Sequence, residues 1–355
     1  MVRYRIPTIQ LFNHKEIRVK ETIKKLVETF GPSGYEQEVR DTIRQEIEKD
    51  ALATGPGDEV RVDTMGNLIV LKKGTGGGRK VMLAAHMDEI GVIVTHIDEK
   101  GFLRFGRLGG VYPHTLIGGR VRFADGTVGV IGVEKLEDRT KMPGLDKLFI
   151  DVGAKDKVSC PVRVGDVAGF VRPFADMGDR LIAKGMDDRI GCAVLLQVLR
   201  ESKETPHDVY FVFTVQEEVG LRGATTSGYG VAPDLALSVD VTGTGDTPEA
   251  RAMAVSLGDG PAIKVKDGGM LAHPGVKNWL VETAEGKEIP YQLEVLEGGT
   301  TDARAIQTSR AGVPAGCVSI PCRYTHSPSE MVDYDDVTNA VKLLVTALSK
   351  PIELE

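Results

Sequence analysis

Apolar residues recur every three or four positions at Ile23, Leu26, Val27 and Phe30, break at Gly31-Pro32-Ser33-Gly34, and resume at Val39, Ile43 and Ile47. That spacing predicts two amphipathic helices joined by a tight turn. "EVRVDTMGNLIVLKKG" then reads as a hairpin about Met65-Gly66-Asn67, and "KVMLAA" is a continuous apolar run of the kind buried on both faces of a sheet. From about residue 96 to 180 the texture changes to short alternating segments and glycine turns, as in "GFLRFGRLGG", "GRVRFADGTVGVIGV" and "LFIDVGA", with no long helical period. Beyond it "DDRIGCAVLLQVLRES" and "DVTNAVKLLVTALSK" are helical, while "DVYFVFTV", "DLALSVDV" and "GVPAGCVSI" return to apolar strands. The pattern predicts an α/β fold: a three-layer α/β/α catalytic domain with a mixed sheet, built from residues 1–95 and 181–355, and an inserted β-rich, barrel-like domain over 96–180.

Composition narrows the class of protein. With 355 residues, 41% of them hydrophobic, the chain can bury a large core as one large domain or two smaller ones. Acids outnumber bases 51 to 44, and no basic run offers phosphates a footprint, which argues against a nucleic-acid partner. No stretch of 18 or more apolar residues occurs, and "MVRYRIPTIQLFNHKEIRVK" lacks the apolar core of a secretory signal, so a cytoplasmic protein without a membrane partner is expected. Cys160, Cys192, Cys317 and Cys322 are few and irregularly spaced, as reduced core thiols are. The pair in "GCVSIPC" does not have the spacing of a common zinc knuckle.

The chemistry gathers at strand ends. "KVMLAA" runs into His86-Met-Asp88-Glu89, "FVFTVQ" into Glu217-Glu218, "LALSV" into Asp240 and "CVSIPCRYT" into His326, while Asp187-Asp188 opens a helix. Ligands of open α/β sheets bind beyond the carboxyl ends of strands, so these positions can converge on one site. Singly, each has a plain structural reading: Asp187 or Asp188 as a helix cap, either histidine as a hydrogen-bonded core residue, Asp240 as a turn residue. Together, Asp88, Asp187, Glu217, Glu218 and Asp240 would repel one another without cations. Two histidines with three carboxylates exceed what one catalytic zinc takes but suit two ions sharing a bridging carboxylate. "GTGGG" at 74–78 lacks the strand-to-helix context of a phosphate loop and reads as a surface hairpin connection. Ser227 in "TTSGYG" has no nucleophile-elbow pattern around it.

In order and spacing, "AAHMDEIG", "KGMDDRIG", "VQEEVGLRGA", "SVDVT", "GGTTDA" and "SIPCRYTHSPSE" resemble the tetrahedral (TET) aminopeptidases of metallopeptidase family 42, over nearly the whole chain after about residue 20. The resemblance implies two divalent metal ions per chain, zinc or cobalt. His86 and Asp240 would hold one, Glu218 and His326 the other, and Asp187 would bridge them. Asp88 would orient His86 through its other ring nitrogen, and Glu217 would be the general base. It also implies short peptides as substrates, cleaved after a free N-terminal residue, and dimers formed through the inserted domain, six of which build a hollow tetrahedral dodecamer. Arg222 and Asp302 fall near the substrate in that arrangement, or serve as a surface ion pair and a turn. The rival readings are another dinuclear metal hydrolase, a deacylase or carbohydrate-active enzyme, and a non-catalytic scaffold, against which the spare carboxylate of Glu217 argues.

Overall fold

The structure, a computed structural model, describes residues 14–138 and 140–354; the basic leader ahead of His14 lies outside them. Helices α1 (His14–Glu28) and α2 (Gln37–Lys49) bury Ile23, Leu26, Val27, Val39, Ile43 and Ile47 in one core, as the apolar spacing requires. Strands β1 (Glu59–Val62) and β2 (Leu68–Lys72) pair as an antiparallel hairpin. Asp63 closes its turn, since Oδ1 accepts the N–H groups of Met65, Gly66 and Asn67 at 2.9, 3.0 and 3.0 Å. In β3 (Lys80–His86), Val81, Leu83 and Ala85 face the core beneath the helices while Met82 and Ala84 face a second core on the other side. A strand covered on both faces has no reason to alternate.

Residues 74–78 do not form the hairpin connection that their composition suggests. The strand Asp208–Thr214 lies between β2 and β3 and pairs with both. The link must therefore cross the end of that strand, and a Cβ on Gly74 or Gly78 would come within 2.3 or 2.5 Å of the main chain of His207 or Pro206. These glycines serve close backbone approach.

Directly after β3 the chain enters a barrel. Strands β4 (Gly91–Ile97), β5 (Leu103–Leu108), β6 (Arg120–Phe123), β7 (Val128–Val133), β8 (Leu148–Asp151) and β9 (Val167–Phe170) close in the order β4-β5-β8-β7-β6-β9, every pair antiparallel. Its inward residues, among them Val94, Phe105, Val121, Ile131 and Ile150, form a core separate from that of the sheet. Along β7 inward Gly129 and Ile131 alternate with outward Val128 and Val130, the period of two visible in the sequence.

The short β10 (Ala175–Asp176) and β11 (Arg180–Ala183) lead back to the large sheet, followed by α3 (Met186–Glu201), β12 (Asp208–Thr214), α4 (Arg222–Val231) and β13 (Leu235–Thr242). The rest comprises β14 (Ala262–Lys266), α5 (Pro274–Glu285), β15 (Gln292–Val295), α6 (Asp302–Gln307), β16 (Ala315–Arg323), β17 (Glu330–Asp333) and α7 (Tyr334–Leu348). The eleven-stranded mixed sheet runs β1-β2-β12-β3-β13-β16-β17-β11-β10, with β14 beside β16 and β15 beside β14. Residues of α1, α2, α3, α5 and α7 pack into the larger core, and residues of α4 and α6 into the core on the opposite face, which makes three layers. Each fully buried leucine or phenylalanine contributes about 1.5–3 kcal/mol to such a core. Among the described residues no helix is long and apolar enough to cross a membrane.

Candidate metal centre

The four central strands β12, β3, β13 and β16 are parallel neighbours, so their carboxyl ends lie along one edge. His86 ends β3, Glu217 and Glu218 follow β12, Asp240 stands two residues before the end of β13, and His326 follows β16. Asp187 enters from the first turn of α3. His86 Nε2 lies 3.0 Å from Asp187 Oδ1, 4.0 Å from Asp240 Oδ1 and 4.0 Å from Glu217 Oε2. His326 Nε2 lies 3.3 Å from Asp187 Oδ2 and 3.5 Å from Glu218 Oε1. Asp187 thus presents one oxygen to each histidine. The groups His86, Asp187, Asp240 and Asp187, Glu218, His326 could each hold a cation, their ligand atoms lying within 4.8 Å of one another. Glu218 Oε1 is buried without a hydrogen-bond partner among the described residues, a need that a cation would meet.

Three further buried carboxylates hold the main chain of this cluster. Asp88 accepts the N–H of Glu217 at Oδ1 (2.9 Å), and at Oδ2 the N–H of Glu218 (3.2 Å) and the hydroxyl of Ser33 (2.6 Å). The hydrogen bond that orients His86 goes to the main-chain oxygen of Asp88, 3.0 Å from Nδ1, while the Asp88 carboxylate stands 3.6 Å away. A carbonyl can only accept, so Nδ1 carries a proton, and in the neutral form of the ring Nε2 would keep its lone pair for a cation. Asp188 accepts the N–H of His86 at 3.2 Å and that of Gly191 at 3.0 Å, so Asp188 rather than Asp187 plays the capping part. Glu330 accepts the N–H of Asp187 at Oε2 (3.1 Å) and of His326 at Oε1 (2.9 Å).

Charge in the cluster is unbalanced. Burial opposes a charge on His86, yet the Asp187 and Asp88 side chains carry its pKa well above the usual value. Burial likewise opposes charge on His326, but Asp187 and Glu218 raise it to about 10. Burial, then neighbouring carboxylates, raise Glu218 to about 7 and push Glu217 and Asp240 well up. Asp187 moves down because both imidazoles outweigh its burial. The carboxylates draw protons for want of positive charge, and divalent cations at the two groups would supply it.

The cluster forms one wall of a cavity of about 620 Å³, whose other walls include Thr242, Lys264, Leu296, Thr301 and Arg304. The barrel reaches it through Gly109 and Gly110, where a Cβ would come 2.6 Å from Glu218 Oε2 and 2.1 Å from His326 Nδ1. Arg222 is exposed and donates to Gln216 Oε1 at 3.1 Å, and it forms no ion pair among the described residues. Asp302 is buried at the start of α6 and accepts a hydrogen bond from Thr214 at the end of β12, beneath the cluster. Sequence reasoning missed Ser33, Gly109, Gly110 and Glu330. Only the glycine pair in "RLGGVY" left any local trace, a point where backbone must come close.

Since Glu330 fixes two of the cluster's residues at once, Glu330→Gln loses one acceptor and turns an amide against a buried N–H. The expected result is a 10–100-fold weaker affinity for divalent cations with the fold retained, read by competition against a metallochromic chelator. Unaltered affinity would show that its hydrogen bonds do not position the ligands.

A parallel-centred sheet with a barrel let into the chain straight after its first histidine strand, and a cluster able to hold cations at the strand ends, is the fold of the TET peptidases. The Pyrococcus horikoshii TET1 peptidase, which can assemble into a tetrahedron or a large octahedral shell, matches with a TM-score of 0.82 and 32% identity over 94% of this chain and 99% of that one. The chain belongs to the M42 glutamyl aminopeptidase family, whose sequence profile matches residues 66–343. Aminopeptidase APDkam598 of the archaeon Desulfurococcus kamchatkensis is 44% identical, with a TM-score of 0.88 over 95% of this chain and 96% of that one. A lysyl aminopeptidase of Pyrococcus furiosus is 36% identical over 350 residues, 94% of this chain and 98% of that protein.

Proposed function

We propose that this protein is a dinuclear metal-dependent aminopeptidase that removes N-terminal residues from short peptides. The observation that carries this reading is Asp187, whose two oxygens face the two histidines 3.0 and 3.3 Å away and so join two ligand groups into one centre. His86 and Asp240 would hold one ion and Glu218 and His326 the other, with Asp187 shared between them, and zinc and cobalt would both suit the set. Bound there, such ions supply the charge that acidifies a water and polarises a carbonyl. Glu217 accepts the proton of the attacking water and returns it to the departing amine. Its position supports this role: partly buried beside the cluster, lining the cavity, and left out of both ligand groups.

Initial rates over a panel of aminoacyl chromogenic substrates, with free-amine and N-blocked peptides side by side, test the activity. Release from free-amine substrates alone is expected. Equal cleavage of blocked peptides would mean an endopeptidase, and no release from any peptide by metal-replete protein would favour a deacylase, a carbohydrate-active enzyme or a scaffold.

We also propose that the barrel joins dimers and that six dimers form a tetrahedral dodecamer restricting access to short peptides. Barrel strand β7 leaves Val128 and Val130 exposed by 52% and 45%, apolar area that a partner would cover. Light scattering should give the mass of a twelve-subunit particle, and a monomer at working concentration would contradict the assembly.

A further inference from the structure

A second concavity of about 660 Å³ begins where the catalytic cavity ends, for Thr325 and His326 line both. It runs between barrel and sheet domain and is lined by Tyr112, Tyr324, Ile182 and Met331, with Arg172 and with His114. The Tyr112 ring stands 6.4 Å from that of His326, and Tyr112 and Tyr324 are half exposed. Arg172 is exposed and makes no hydrogen bond, ion pair or ring contact with any described residue. Among the described residues no acidic side chain lines this concavity.

Taken with the proposed activity, on which it rests, the division of space at His326 sets the direction of the substrate. Glu217 lines the first cavity and not the second, while His326 lines both; with the residue ahead of the scissile bond assigned to the first cavity, the departing peptide falls on the other side of His326. There it meets two aromatic rings and a single unpaired guanidinium, whose planar fork matches a carboxylate. Two extended residues span about 7 Å, and in a di- or tripeptide without acidic side chains the C-terminal carboxylate is the one carboxylate beyond the cleaved bond. We infer that Arg172 binds the C-terminal carboxylate of the departing peptide, with Tyr112 and Tyr324 flanking its side chains, and that di- and tripeptides with a free C-terminus are the preferred substrates. Arg172 is in this sense a specificity-determining residue that takes no part in the bond-breaking step.

The test compares kcat/KM for Xaa-Ala-Ala with that for Xaa-Ala-Ala-amide, Xaa being the residue most rapidly released from the chromogenic panel. The wild-type enzyme should favour the free acid about tenfold, expressed in KM, as a charge-assisted hydrogen bond in a partly exposed cleft would give. In Arg172→Gln the ratio should fall to near one and in Arg172→Lys recover in part. A ratio cancels any general loss of activity, and an unchanged melting temperature checks the fold. Equal rates for acid and amide in the wild type, or an undiminished ratio in Arg172→Gln, would overturn the inference. A preference for Xaa-Glu-Ala-amide over Xaa-Ala-Ala-amide without an acid-over-amide preference would assign Arg172 to a side-chain carboxylate and overturn the C-terminal assignment. Release from no free-amine substrate, chromogenic ones included, would instead defeat the aminopeptidase reading itself.

Discussion

Glu217→Gln should lower kcat by about 10²–10⁴ while metal content stays near two ions per chain. Glutamine keeps the shape of the side chain, and the main-chain N–H of residue 217 still donates to Asp88 at 2.9 Å, so the local structure survives. What is lost is the proton acceptor. Glu218 is assigned the other duty: among the described residues its Oε1 is buried without a hydrogen-bond partner, and it lies 3.5 Å from His326 Nε2, as a ligand atom would. Glu218→Gln should therefore weaken occupancy of one site. Kinetics paired with elemental analysis of both variants decides the matter, and the assignment is reversed if Glu217→Gln sheds a metal while Glu218→Gln keeps both.

Dialysis against a chelator should abolish peptide cleavage, and zinc or cobalt should restore it. The cluster gathers Asp187, Glu217, Glu218 and Asp240, and without cations the balancing charge must come from protonated His86 and His326. A protonated imidazole cannot ligate and places a positive charge where no water can be activated. The same treatment should lower the melting temperature, because an ion held by the native state alone stabilises it by about 2.7 kcal/mol at a hundred times its dissociation constant. Calorimetry before and after chelation reads that shift independently of activity. Full activity in protein shown to be metal-free would sink the dinuclear reading.

Much of the cluster was legible along the chain because several of its residues are announced locally. His86, Glu218 and His326 lie at or just past the ends of apolar strands, and a polar residue ending a buried run is visible without knowledge of its neighbours. The two opening helices and the alternating barrel strands were legible for the same reason, since a period of 3.6 or 2 is a property of consecutive residues. Glu330 was not. It stands 143 residues from Asp187, whose N–H it accepts, and in sequence it is an ordinary acid opening a short strand. Gly110 signals close approach but not that its neighbour is the His326 ring.

By itself the sequence determined which side chains end the strands, where periodicity changes from helix to strand, and that paired carboxylates and histidines are available for one chemistry. Tertiary structure alone decided that β12 inserts between β2 and β3, turning an apparent hairpin link at 74–78 into a crossing loop. It also decided that Asp88 binds the main chain of Glu217 and Glu218 through its carboxylate while its carbonyl orients His86. The physical reason is one of range. Burial patterns arise from neighbours along the chain, whereas strand order and the partners of a buried carboxylate depend on which distant segments satisfy each other's hydrogen bonds once water has been excluded.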